Sequence, residues 1–256
     1  MSFEYTGVED AIEQGGLRMV VVGGVPSPWG EAAKGILHIK QIDWLAVRLV
    51  YDNEALNEWA GQQSGPVAIY DKEAPRSGWD EILLLAERLA PTPALIPQDP
   101  GDRALMFGIA HEICGEQGLG WARRLQLIHG GLTNEGGFPE GVAQYLANKY
   151  GYSPQAGAAS GQRVAELLGL LTARLHSQQQ SGSSYYIGDS VSAVDIYSAT
   201  FTVMFAPLPP EHCDMHPKTR AAFDTLDAQT QAALDPILVA HRDMMYEKFL
   251  QLPLSL

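Results

Sequence analysis

A proline-rich segment divides this chain into two parts with different hydrophobic patterns. Four prolines stand among residues 91–100 (PTPALIPQDP). Proline fixes its own φ and lacks an amide proton, so neither a helix nor a strand continues through that density of prolines. The segment predicts a linker at 91–101 between a first unit at 17–90 and a second unit at 102–256, with residues 1–16 as an N-terminal extension.

Before the linker, short apolar runs alternate with helical patterns. Residues 17–22 (LRMVVV) are rich in β-branched side chains and lie between glycine pairs, which predicts a buried strand. Ser27 followed by Pro28 is a favourable start for a helix. This alternation predicts an α/β unit. Its other predicted elements are strands at 44–51 and 66–70 and helices at 53–60 and 79–89.

After the linker the pattern becomes helical. Five aliphatic residues between Val164 and Leu175 recur at helical spacing and form one apolar face. The second unit is therefore predicted to be all-helical, and its apolar tail is expected to dock on a surface or on a partner. The other predicted elements are helices at 102–115, 121–129, 193–205 and 221–249, a polar loop at 177–184 and the tail at 250–256.

Charge limits the classes of function that this chain supports. Its 256 residues carry 17 Lys and Arg against 30 Asp and Glu, a formal net charge of -13. Phosphate backbones and anionic membranes repel such a chain, so neither nucleic acid nor a membrane is an expected partner. A local basic pocket for a small anion is compatible with this balance.

Cysteine usage and the first residues point to one compartment. Only Cys114 and Cys213 occur, which fits a reducing cytoplasm rather than a disulfide scaffold. Residues 1–14 show no signal-peptide pattern. The longest apolar run, at 19–22, is too short to span a bilayer. A cytoplasmic protein is the resulting expectation.

Residues 188–195 (GDSVSAVD) carry the sharpest local signal. Ser192 and Asp195 are spaced as in a capping box, with Asp in place of the usual Glu. Val191 and Ile196 flank them at the spacing of a hydrophobic staple. The motif predicts a helix that begins inside a core, and it favours a structural role for Asp195 over a catalytic one.

Taken in chain order, these features resemble the glutathione S-transferase superfamily, and in particular its serine-type, bacterial-like members. The triplet Ser27-Pro28-Trp29, the position of Pro66 at the third strand, the proline linker and the capping box each match a family motif. The resemblance covers most of the chain from Leu17. It implies a thioredoxin-like N-terminal domain that binds glutathione and an all-helical C-terminal domain that forms a pocket for an apolar electrophile.

The resemblance assigns the catalytic role to Ser27, whose hydroxyl donates a hydrogen bond to the glutathione sulfur. Elementary chemistry supports such a position, because the positive end of a helix dipole stabilises a thiolate and the thiolate is the nucleophile. The alternative is that Ser27 is only the N-cap of its helix. A serine at this place disfavours mixed-disulfide chemistry.

The resemblance also implies the residues that hold glutathione: Trp29, Gly65, Pro66, Arg76 and Ser77. Gly65 precedes the family's cis-proline and pairs through its backbone with the cysteinyl part of the ligand. Ser77 takes the serine role only with a shift of one residue, and Arg76 then replaces the family's acidic residue. Arg76 could bind a carboxylate through a bidentate contact. The alternative for Arg76 is a solvated surface charge.

The predicted helix at 102–115 and its neighbour supply His111 and Trp121, which the resemblance places at the co-substrate pocket. Core packing is the alternative for both residues. No metal site is expected. His111 and Glu112 lack the second histidine of a zinc motif, and the loop at 211–216 (EHCDMH) lacks a matching second half.

The combined expectation is a glutathione transferase-like enzyme, with glutathione as co-substrate and a small hydrophobic electrophile as its partner. The family is commonly homodimeric, which implies a homodimer here. Two alternatives stay open. One is a transferase-like fold that serves as a ligand-binding or protein-interaction module without thiol chemistry. The other is a thiol-disulfide reductase, which requires a low-pKa cysteine near the first helix start.

Overall fold

The computed structural model describes residues 4–256. All strands of the described residues lie before the linker, so the expected order of an α/β unit and a helical unit is confirmed. None of the described helices is both long enough and apolar enough to cross a bilayer. In chain order the elements are α1 (Val8–Glu13), β1 (Leu17–Val21), α2 (Pro28–Ile39), β2 (Leu45–Arg48), α3 (Glu54–Ala60), β3 (Val67–Tyr70), α4 (Trp79–Leu89), α5 (Pro100–Cys114), α6 (Leu119–Thr133), α7 (Glu140–Lys149), α8 (Pro154–Gln180), α9 (Ala193–Thr202), α10 (Pro217–Asp224), α11 (Ala228–Ala233) and α12 (Pro236–Lys248).

The strands form a mixed sheet in the order β2-β1-β3. β1 is parallel to β2 and antiparallel to β3, so Met19 pairs with Ala46 on one side and with Ala68 on the other. Arg76 adds one bridge at the free edge of β3. Its amide donates to the Ala68 carbonyl (2.9 Å), and its carbonyl accepts from the Ala68 amide (2.8 Å). The segment around Arg76 therefore takes the place of a fourth edge strand.

Apolar clusters cover the two faces of the sheet. Val20 faces a small cluster that includes Ala11 of α1 and Leu56 of α3. Met19, on the opposite face, belongs to the main core. This core continues through α2 and α4 into the helical unit as far as α9 and α12. The two units therefore share one hydrophobic core.

The N-terminal extension is packed onto the α/β unit over the residues that the structure describes, while residues 1–3 lie outside them. The Thr6 amide donates to the Ala46 carbonyl on β2 (2.8 Å). α1 contacts α3 and β2. Ala11 is fully buried in that contact. The extension thus covers one face of the sheet.

A buried lysine fixes the linker. The Lys40 ammonium, at the end of α2, has no solvent exposure and lies 2.8 Å from the Glu87 carboxylate. It donates to the carbonyls of Ala90 (2.7 Å) and Pro93 (2.8 Å). Because a buried charge must be paired and hydrogen-bonded, these contacts hold the linker in one conformation.

The helical unit begins two residues before the predicted boundary. Asp99 caps α5 by accepting from the amides of Gly101 (2.9 Å) and Asp102 (3.0 Å). Pro100 occupies the first turn, where a missing amide proton costs no hydrogen bond. The last proline of the linker is therefore the first residue of a helix.

The prediction of one helix at 221–249 is wrong, since the segment forms the end of α10 and then α11 and α12. Asp227 caps α11 through the Thr230 amide (2.7 Å), and Asp235 caps α12 through the Ile237 amide (2.9 Å). Each aspartate thus begins a new helix. The predicted polar loop at 177–184 is also too long, because α8 continues to its fourth residue.

The apolar tail docks on α2, the helix that follows Ser27. Leu250 lies against Gly35, where an added Cβ would come within 2.7 Å of the leucine methyl group. The Lys34 ammonium donates to the Ser255 carbonyl (2.8 Å). The Leu254 amide donates to the His212 carbonyl (2.8 Å). The predicted docking of the tail is therefore intramolecular in this structure.

Candidate active site

A cleft of about 1300 Å³ lies where the α/β unit faces the helical unit. This exceeds the usual range of single-ligand pockets, so the cleft has room for two substrates. The predicted site residues that line it are Ser27, Trp29, Gly65, Pro66, Ser77 and Trp121. Arg76 and His111 are not among its lining residues.

Ser27 stands at the N-terminus of α2 and faces this cleft. Its carbonyl accepts from the Glu31 amide (2.8 Å), so its backbone has the geometry of an N-cap. Its side chain, however, makes no capping hydrogen bond. The first-turn amides of Trp29 and Gly30, which a capping side chain normally satisfies, are thus left at the positive end of the helix.

Another Ser-Pro helix start in the chain shows the difference. Ser153 precedes Pro154 at the start of α8, and its hydroxyl accepts from the Ala156 amide (3.1 Å). Ser27 has the same sequence context but leaves its hydroxyl out of the cap. A helix start with this arrangement can bind an anion at its amides and donate a hydroxyl hydrogen bond to it.

Trp29 connects the start of α2 to the helical unit. Its indole Nε1 donates to the Cys114 carbonyl (2.8 Å), and its ring contacts Phe201 edge-on at 4.9 Å. Gly120 leaves space for the ring, since a Cβ there would lie 2.9 Å from it. These contacts fix the orientation of the helix start that presents Ser27.

The loop before β3 also belongs to the α/β unit and lines the cleft. The Gly65-Pro66 peptide bond is cis, in agreement with the family motif. A side chain at Gly65 would place its Cβ 3.2 Å from the Val20 carbonyl, so the loop approaches β1 closely. Gln62 and Ser64 also line the cleft and were not predicted as site residues. The signal that could have identified them is the presence of polar side chains directly before a predicted strand.

Arg76, which the resemblance assigns to glutathione, does not line the cleft. Its guanidinium pairs with the Glu73 carboxylate (2.6 Å), which also binds Arg88 (2.6 Å). Hydrogen bonds from Arg88 and Arg76 hold the pKa of Glu73 below its usual value. Ser77 does line the cleft, but its amide lies 3.2 Å from the Glu81 carboxylate, which also accepts from Gly78 (2.9 Å).

The two residues assigned to the co-substrate pocket are placed differently. Trp121, on α6, lines the cleft and contacts Tyr150 edge-on at 4.9 Å. His111 is exposed on α5 beside the turn at Gly115, where a Cβ would come within 2.6 Å of its ring. Cys114 takes the place at the cleft instead, and burial raises the pKa of its thiol well above the usual value.

The helical wall of the cleft contains lining residues that were not predicted from the sequence. Arg124 follows Trp121 by three residues on α6, a spacing that puts both on one face of the helix and could have revealed it. α7 was not predicted, because glycines and a proline surround its start. It contributes Tyr145 and Lys149 to the cleft.

The loop at 211–216, which carries several potential metal ligands, also reaches the cleft. His216 lines it, and its Nδ1 caps α10 by accepting from the Lys218 amide (3.1 Å). Among the residues that the structure describes, no three His, Cys, Asp or Glu side chains come together as metal ligands. The histidine at 216 therefore has a capping role.

No family model and no curated protein sequence matches the chain. Solved structures, in contrast, are similar to this chain. A glutathione S-transferase from Methylobacillus flagellatus with glutathione bound has a TM-score of 0.61 at 15% identity, over 91% of this chain and 95% of that chain. One from Methylobacterium radiotolerans, in complex with glutathione sulfonate, has 0.56 at 18% identity, over 91% of both chains.

A rice glutathione S-transferase in complex with glutathione has a TM-score of 0.58 at 18% identity, over 94% of both chains. Because the likeness covers at least 91% of this chain in all three comparisons, it spans both units. At this level of identity it is a likeness of fold. The chain therefore has the fold of the glutathione S-transferase superfamily.

Proposed function

We propose that this protein is a serine-type glutathione transferase-like enzyme that activates the glutathione thiol for attack on a small electrophile. Glutathione would lie along Gly65, Pro66 and Ser77, with its sulfur at Ser27. The electrophile would lie against Trp121 and the helical wall. The bound glutathione or glutathione sulfonate in solved structures of this fold supports the same ligand.

The observation that carries this proposal is that Ser27 lines the cleft while its hydroxyl does not cap α2. In the proposed mechanism the glutathione thiol loses its proton to solvent. The thiolate accepts a hydrogen bond from Ser27 and lies at the positive end of α2, which lowers the pKa of the thiol. The sulfur then forms a bond to the electrophilic carbon, and the leaving group departs with its electron pair.

Binding of glutathione is the first prediction from this proposal. Titration calorimetry should show one site per chain for glutathione and for S-methylglutathione, since the peptide contacts do not need a free thiol. S-methylglutathione is the control for disulfide formation with a protein cysteine, because its blocked thiol cannot form a disulfide. Absence of heat with both peptides would contradict the proposal.

A specific observation favours a second candidate function, a ligand-binding module without thiol chemistry. Glu81 accepts from the amides of Ser77 and Gly78, and Arg76 is engaged by Glu73. Arg76 and Ser77 are two of the residues that the resemblance assigns to glutathione, and these contacts already engage both. A protein of this kind would bind an aromatic ligand in the cleft and show no heat with either peptide.

The proposal includes a cytoplasmic homodimer, as the resemblance implies. Both cysteines are free and buried, in keeping with a reducing compartment. Leu84 on α4 is 45% exposed and Leu105 on α5 is 38% exposed, and large exposed apolar side chains are common at subunit interfaces.

The dimer gives a prediction for sedimentation. Wild-type protein should sediment as a dimer at micromolar concentration, and Leu84→Glu should shift it towards the monomer, because a charge would be buried in the contact. Leu170→Glu on α8 is the matched control, since Leu170 is equally exposed at 43%. A monomeric wild-type protein would overturn the expectation.

A further inference from the structure

Three basic residues line the helical wall of the cleft. Arg124 of α6, Lys149 of α7 and Lys218 of α10 all line it. They are three of the 17 Lys and Arg residues of a chain with net charge -13. Glu116 is the one carboxylate among the described lining residues. The cleft is thus locally positive in a strongly negative protein, an arrangement that attracts small anions.

These cations have no carboxylate partner. Over residues 4–256, no ion pair joins Arg124, Lys149 or Lys218 to an acidic side chain. The neighbouring Arg123 differs, because its guanidinium donates to the carbonyls of Met204, Phe223 and Thr225. Arg123 is therefore structural, whereas Arg124 has neither a carboxylate nor such a set of carbonyls as partners among the described residues.

Two aromatic rings hold the guanidinium of Arg124 in place. Its guanidinium lies over the rings of Phe138 (5.5 Å) and Phe223 (5.9 Å), which fix its position by cation–π contacts. Its Nε is buried and has no hydrogen-bond partner among the described residues. A buried donor without a partner is costly, and a bound anion would satisfy it.

The side chains near Arg124 also favour the binding of an anion. Partial desolvation and the nearby charge of Arg124 lower the pKa of Lys149, and a negative group between the two cations would relieve their repulsion. Tyr51 and Tyr145 meet at the cleft with their rings 5.9 Å apart and share a hydrogen bond between their hydroxyls, which leaves one hydroxyl of the pair able to donate to an anion. The apolar rings of Trp121 and Tyr150 adjoin this region.

We infer that Arg124 and Lys149, with the hydroxyls of Tyr51 and Tyr145 beside them, form an anion subsite, and that the electrophile is an aryl halide carrying a carboxylate, sulfonate or phosphate group. This inference rests on the proposed function for the reaction, but the anion subsite itself does not. The anionic group binds Arg124 and Lys149, and the ring packs on Trp121. The anionic group does not react. The glutathione thiolate, whose proton has gone to solvent, forms a bond to the ring carbon that carries the halogen, and the carbon–halogen bond breaks with its electron pair leaving on the halide.

The test compares a chloronitrobenzoate with its neutral methyl ester, both with glutathione. In Arg124→Met the ratio of kcat/KM for the acid to that for the ester should fall about tenfold to a hundredfold, because a charge-assisted hydrogen bond is lost. Arg124→Lys should recover part of the ratio. The KM for glutathione should stay unchanged in both variants.

Arg103→Met is the matched control. Arg103 also lies over a phenylalanine ring, that of Phe107 at 5.1 Å, but it is exposed and outside the cleft. The control loses the same charge and should keep the wild-type ratio. An unchanged ratio in Arg124→Met overturns the inference. A raised KM for glutathione with an unchanged ratio also overturns it, since the cluster would then bind a glutathione carboxylate.

A binding measurement separates this inference from the proposed function. Without glutathione, calorimetry should show that wild-type protein binds nitrobenzoate and that Arg124→Met binds it at least tenfold more weakly. If neither electrophile is turned over but this difference is observed, the proposed enzyme activity fails and the anion subsite stands. If wild type and Arg124→Met bind nitrobenzoate equally, or neither binds it, the inference is wrong.

Discussion

Replacement of Ser27 by alanine is expected to raise the pKa of the bound glutathione thiol by about one to two units. A hydrogen bond to a charged group is worth roughly 1.5–3 kcal/mol, and one pKa unit corresponds to about 1.36 kcal/mol. Below the thiol pKa, the thiolate fraction and the turnover of an electrophile should then fall about tenfold or more. The pH profile of activity should move to higher pH by the same interval, because the reactive form is the deprotonated one.

The measurement is the thiolate absorbance of bound glutathione against pH, for wild type and Ser27→Ala. Since the Ser27 side chain does not cap α2, the variant should change the free energy of unfolding by no more than about 0.5 kcal/mol. Ser153→Ala is the opposite control. It removes a true cap and should cost about 1 kcal/mol while the thiol titrates as in wild type. Identical titrations for wild type and Ser27→Ala would refute the catalytic assignment.

Replacement of Asp195 by alanine is expected to cost about 3–5 kcal/mol of unfolding free energy, a large part of the total stability of a typical domain. Asp195 is fully buried at the start of α9. One carboxylate oxygen accepts from the Tyr186 amide (2.9 Å) and from His241 Nε2 (3.0 Å). The other accepts from the amide and the hydroxyl of Ser192 (2.8 Å each). Alanine leaves these buried donors without partners.

Urea denaturation of Asp195→Ala and two companions checks this expectation. Ser192→Ala should cost only about 1 kcal/mol, because it removes one donor and leaves the carboxylate its other three. Asp189→Ala alters an exposed aspartate of the same loop and should lie within about 0.5 kcal/mol of wild type. A denaturation midpoint for Asp195→Ala close to that of wild type would show that the network is not important for stability.

Local sequence signals predicted the parts of the fold that depend on neighbouring residues. The Ser27-Pro28 pair and the Ser192–Asp195 spacing each act within a few positions of the chain, and α2 and α9 begin where these signals predicted. The prolines of the linker also act locally, although the last of them already belongs to α5. The hydroxyl of Ser192 nevertheless donates to the carboxylate instead of accepting from the Asp195 amide, whose bond goes to the Ser192 carbonyl (3.1 Å). The spacing does not specify that detail.

The helical side of the site could not be predicted in the same way, because it depends on contacts between distant segments. Arg124 acquires its significance from two rings that lie 14 and 99 residues further along the chain, Phe138 and Phe223. The Arg76 guanidinium pairs with Glu73, a carboxylate that also binds Arg88 of α4. Neither pairing is visible in a local pattern, since tertiary packing decides it.

The packing of α2 has a consequence for the synthesis of the protein. Gly35 contacts Leu250 and Ile196, so the helix that presents Ser27 is covered by segments made long after it. At about 5–20 residues per second, the interval between residue 39 and residue 250 lasts on the order of 10 to 40 seconds. The apolar face of α2 lacks native cover from α9 until residue 202 has been made, and it lacks the tail for the whole interval. We therefore expect a chaperone or another transient contact to cover this helix on the nascent chain until both segments have emerged.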